Sequence, residues 1–162
     1  MPEHEDRVLK AIHHVVHDYV NLVSAGTLIY QSLRPPLNSH VQYSFIVQCR
    51  KLAHFFLNHR AQSGHEDILA SHFVGKKIKF GFKEWSKWDD HMDKHIFHLS
   101  YGRVKNTRPW TGYDANREML EQFQAAWRLF LSKLPDKFKE EFDKEIAKKL
   151  HPESEFRDLD LR

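Results

Sequence analysis

Four separate runs of apolar residues recur along this chain in steps of three and four, and that spacing leaves few choices of fold. Val8, Ile12, Val15, Tyr19 and Leu22 form the first run, and Phe45, Cys49, Leu52 and Phe56 the second. Trp85, Trp88, Met92, Ile96 and Leu99 form the third, and Met119, Phe123, Ala126 and Phe130 the fourth. A helix advances about 100° per residue, so each run lays an apolar stripe along one helix face. After Pro135, the repeat Phe138, Phe142, Ile146 adds a fifth, shorter helix. Such stripes are buried by packing against one another, which predicts an all-α fold: a single-domain bundle of four main helices plus a C-terminal helix over residues 1–150, followed by a polar tail over 151–162.

Local signals divide the helices. The first starts near residue 5, is weakened at Gly26 and stops at Arg34-Pro35-Pro36, where prolines remove donors and clash with the preceding turn. Ser39 and Gln42 read as a capping box for the second helix, and Asp114 as the N-cap of the fourth. From Gln62 to Lys83 the periodicity fails, which predicts a long structured loop with a short helical stretch around Asp67 to Phe73. Lys79-Phe80-Gly81-Phe82 alternates like a strand but has no partner strand in the sequence.

At 162 residues and 41% hydrophobic content the chain fills one ordinary core. Its net charge of +3 is far below that of a protein that coats a polyanion non-specifically. Thirteen histidines make the charge conditional on pH. Cys49 is the only cysteine, so no intramolecular disulfide and no thiolate zinc cage can form. With an acidic start and no apolar run of about 18 residues, the expected location is cytoplasmic, away from membranes. No Ser-His-Asp set, phosphate-binding glycine loop or Cys-x-x-Cys pair is present, and no cofactor is expected. The aromatic residues fall at core spacing, with Trp110 and Tyr113 as exceptions.

Two groups of residues carry chemistry. His91, His95 and His98 fall within about 60° of one another on the third helix, flanking its apolar stripe. Imidazoles at this spacing are a candidate metal set, although three ligands on one helix need a further ligand from another helix to close a site. His13, His14 and His17, by contrast, read as a solvated face. Arg50 and His54 sit four apart at the edge of the most apolar helix, where a guanidinium requires an anion: an internal carboxylate such as Asp90, Asp93 or Glu118, or a phosphate held bidentately.

The stretch Tyr43-Ser44-Phe45-Ile46-Val47-Gln48-Cys49-Arg50-Lys51-Leu52-Ala53-His54-Phe55-Phe56, then Asp67-Ile68-Leu69-Ala70, Lys94-His95-Ile96-Phe97-His98-Leu99-Ser100-Tyr101-Gly102-Arg103 and Trp110, resembles an uncharacterised family of bacterial all-helical proteins, itself similar to the HEPN superfamily. That resemblance implies a helical bundle that binds RNA or nucleotides, in many members as a metal-independent RNase. His98 matches the signature histidine, Tyr101 stands near the tyrosine, and Lys94 falls near the polar position. Asp93 occupies the arginine position, and a carboxylate there would repel a pentacovalent phosphate, which counts against RNase chemistry.

The leading expectation is a HEPN-like protein that binds a phosphate-bearing ligand through Arg50, His54, Lys94, His98, Tyr101 and Arg103. Arg50 would clamp the phosphate and His98 would serve as hydrogen-bond partner or catalytic acid/base, with Tyr101 as an orienting donor. Two alternatives stand beside it. One is a self-associating, homodimeric interaction module in which the Arg/His/Tyr set forms an internal polar network. The other is a bundle that holds a metal ion through His91, His95 and His98.

Overall fold

The computed structural model describes residues 2–29, 37–58, 67–92 and 113–150. Among these residues the protein is all-α, with six helices and no strand. They are α1 (Pro2–Ile29), α2 (Leu37–Leu57), α3 (Ala70–Val74), α4 (Trp85–Met92), α5 (Tyr113–Lys133) and α6 (Asp136–Lys149). The described parts of the four main apolar stripes meet in one core, while Ile96, Leu99 and the side chain of Met92 lie outside the described residues. Val8, Ile12, Val15, Tyr19 and Leu22 of α1, Phe45, Cys49, Leu52 and Phe56 of α2, and Met119, Phe123, Ala126 and Phe130 of α5 are all buried, while Trp85 and Trp88 of α4 pack partly buried against them.

α1 packs against α2, α5 and α6, and α2 in turn touches α3 and α5. Phe142 and Ile146 carry α6 into the same core, with Phe138 partly buried beside them. Aromatic edges meet aromatic faces through this centre: Phe73 lies edge-on to Phe130 and Phe142 at 5.9 and 5.4 Å, and Phe130 to Phe142 at 5.3 Å. These are the arrangements that the ring quadrupoles favour, so the core is directional as well as apolar.

Several boundaries differ from the sequence reading. α1 runs from Pro2 through Gly26 without interruption. Gly26 is buried, and a Cβ on it would lie 2.8 Å from Leu120 Cδ2 and 3.2 Å from Phe45 Cε2. The glycine therefore permits a close approach of three helices, a packing requirement that outweighs its poor helix propensity. α2 includes Leu37, which places Ser39 and Gln42 inside the helix rather than at its cap, and α5 includes Tyr113, which places Asp114 in its first turn. Arg34-Pro35-Pro36 and the tail over 151–162 lie outside the described residues.

From Asp67 to α4 the chain is held by burial at separate points. Leu69 is fully buried, and its N–H donates to His72 Nδ1 at 3.3 Å at the start of α3. α3 ends at Gly75, whose φ of 70° is the left-handed conformation that costs glycine little. Beyond it, Phe80 packs on Phe56 at 4.8 Å and Phe82 on Phe123 at 4.8 Å, while Lys79, Gly81 and Lys83 face solvent. The strand-like alternation in the sequence thus produces a segment clasped to the core by two rings. Lys83 N donates to Gln122 Oε1 of α5 at 2.7 Å and fixes its end.

Candidate functional site

The site begins with how α2 divides its faces. Phe45, Ile46, Cys49, Leu52, Ala53 and Phe56 turn inward, so the residues half a turn away face outward: His40, Tyr43, Val47, Arg50 and His54. These five recur at steps of three and four within an arc of about 80°. Arg50 and His54 are half-buried just beyond the edge of the apolar face. Asp67, in the segment just before α3, lies beside His54, with Oδ2 3.7 Å from Nε2. That distance is too long for a hydrogen bond, so the two interact through space.

Val47, Arg50, Lys51, His54 and Asp67 line an open groove of about 370 Å³. Lys51 Nζ donates to Asp18 Oδ1 of α1 at 3.1 Å, which ties the lysine to α1. The groove therefore brings a guanidinium, an imidazole and an ammonium to one surface with a single lining carboxylate. An arginine supplies a planar two-pronged donor and an imidazole a donor or an acceptor, a set suited to an oxyanion.

Of the residues named from the sequence, Arg50 and His54 come together here. Lys94, His95, His98, Tyr101 and Arg103 lie outside the described residues, as does the side chain of His91. Asp93 and Trp110 lie outside them too. Among the described residues, no group of three or more His, Cys, Asp or Glu side chains is placed to hold a metal ion. Cys49 is fully buried, and burial pushes its thiol well above the ordinary range, making it an inert core residue as the sequence implied.

Two groove residues, Val47 and Lys51, carry no site signal in the sequence, and Asp67, which could form an accessory site with His65 if the loop folds over the bundle, here stands beside His54. Asp67 lies on a different segment from His54, and only the tertiary fold brings the two together. A correction concerns the aromatics. Tyr43 does not follow core spacing; it is the large hydrophobic side chain that stands out in solvent among the described residues, at 53% exposure. The signal was present in the sequence, because Tyr43 stands seven residues before Arg50 and so shares its helix face.

A second polar surface lies where α1 meets α6. His13 Nδ1 is 3.3 Å from Glu145 Oε2, and His13 stacks on His17 with centroids 6.3 Å apart. Asn21 Nδ2 donates to His17 Nε2 at 3.0 Å, which uses the lone pair of the neutral ring. Partial burial, helped by Lys149 of α6, lowers the His17 pKa from its ordinary value. The Glu145 carboxyl is lowered chiefly by the hydrogen bond from Lys148 and also by that from His13. The three histidines are largely exposed, in keeping with the solvated face expected of them.

No protein-family model, curated protein or solved structure matches this chain. No helix among the described residues is long and apolar enough to cross a membrane.

Proposed function

We propose that this protein binds a phosphate-bearing ligand, RNA or a nucleotide, in the groove of α2, with Arg50 as its principal contact. The observation that carries this reading is that Arg50, His54 and Lys51 converge on one open groove at the edge of the core. A guanidinium on a rigid, packed helix meets two phosphate oxygens at little entropic cost, and His54, one turn on, supplies a further donor. The HEPN resemblance implies Lys94, His98 and Tyr101 as further contacts, with His98 as hydrogen-bond partner or acid/base group, and Arg103 is a further candidate cation. Asp93 at the signature arginine position favours binding over RNA cleavage.

Asp67 offers a discriminating test because it places a negative charge where the ligand's charge would lie. Asp67→Asn keeps the side chain's size and removes that repulsion, so affinity for uridine monophosphate and short RNA is expected to rise severalfold at low salt. The interaction-module reading finds support in the His54 and Asp67 pair itself, which ties α2 to the segment before α3. On that reading Asp67→Asn loosens the fold and leaves nucleotide binding absent in both proteins.

A further inference from the structure

We infer that the outward face of α2 is a track for single-stranded RNA, on which Tyr43 stacks a base while Arg50 and His54 hold the backbone. This inference rests on the phosphate-binding reading of the groove and extends it from a single phosphate to an oligonucleotide. Its basis is the juxtaposition on one helix face of an exposed aromatic ring with cationic and imidazole groups, in the order His40, Tyr43, Val47, Arg50, His54. Tyr43 and Arg50 are seven residues apart, two helical turns, or about 10 Å along the axis. His40 to His54 spans about 21 Å. That length suits about four nucleotides, the lower end of the site sizes of single-strand grooves.

The chemistry of the face selects this occupant over a protein helix. A helix docked in a groove needs apolar anchors spaced along its partner, and this face offers one aliphatic side chain, Val47, between polar groups. A single strand requires something different: a π-face for a base and, at some distance, donors for the phosphates. Tyr43 supplies the first and Arg50 with His54 the second. Because Tyr43 is 53% exposed, replacing it is expected to leave the packing of the core unchanged, which a thermal melt of Tyr43→Ala checks.

The experiment follows the His54 imidazole resonance by NMR while uridine monophosphate, the dinucleotide and the tetranucleotide are titrated into wild type, Tyr43→Ala and Tyr43→Phe. Stacking one base strengthens binding by about 5- to 150-fold, so the tetranucleotide is expected to bind wild type at least about fivefold more tightly than the monophosphate. Tyr43→Ala is expected to lose that gain while keeping its affinity for the monophosphate, and Tyr43→Phe, which retains the ring, to keep both. A tetranucleotide no tighter than the monophosphate, or a gain that survives in Tyr43→Ala, overturns the track and leaves the single-phosphate groove standing. The absence of any response to all three ligands overturns the groove reading and the track together.

Discussion

Tyr19 of α1 and Trp127 of α5 stack face to face, with ring centroids 4.1 Å apart and planes within 10° of parallel. Both are essentially fully buried, and Trp127 also touches Phe130 and Phe142, so this stack joins α1, α5 and α6 at one point. Trp127→Ala is expected to cost about 3–5 kcal/mol, the range for emptying a large aromatic from a packed core. Chemical denaturation measures the loss directly, and a cost below about 1 kcal/mol would show that the stack does not join these helices.

Gly26 marks the other close contact of the core. A side chain there meets Leu120 and Phe45 at once, and both are buried. Gly26→Val is expected to destabilise by about 1–3 kcal/mol through overpacking, even though valine has the better helix propensity. A thermal melt in which Gly26→Val equals or exceeds wild type would place the crossing elsewhere.

The histidine face of α1 predicts a pH dependence with a definite sign. The pKa of His17 is lowered in the folded protein by burial and by Lys149, with His13 and Lys51 adding and Asp18 opposing. The unfolded chain therefore takes up this proton first, so the contribution of His17 is fully present above its unfolded pKa of about 6.5 and is lost as pH falls through the folded value. Glu145 acts in the same direction at lower pH. Its folded pKa is depressed, so its contribution is present above the ordinary carboxylate range and is lost under stronger acid. The melting temperature is expected to fall as pH is lowered from about 7.5 to 5.5, and to fall less in His17→Gln. An equal fall in both proteins would assign the effect to other histidines.

The fold was legible in the sequence because its dominant force, burial of apolar stripes, writes itself as a period of 3.6. Val8 to Leu22, Phe45 to Phe56 and Met119 to Phe130 needed only their spacing to be placed in the core. Helix ends were less legible. Ser39 and Asp114 have the chemistry of caps, yet α2 already includes Leu37 and α5 Tyr113, and a cap is worth only about 1 kcal/mol. Gly26 misled for a related reason: its cost in propensity is visible locally, and its benefit is visible only once Leu120 and Phe45 are beside it. In the candidate site, Arg50 and His54 could be found because they lie on one helix. Asp67 is less legible as their partner, because its place beside His54 is a tertiary event. Tyr43 is hard to tell from the core aromatics by type, and only its helical phase relative to Phe45 and Cys49 sets it on the outer face.

The central claim is that Arg50 grips a phosphate, and calorimetric titration of a short RNA and of uridine monophosphate into wild type and Arg50→Lys tests it most directly. Lysine keeps the charge but cannot form the planar two-pronged contact, so the account predicts measurable binding by wild type and a loss of about tenfold or more in Arg50→Lys, with both affinities falling as salt is raised. Equal affinity in the two proteins, or no binding by wild type at low salt, would contradict it.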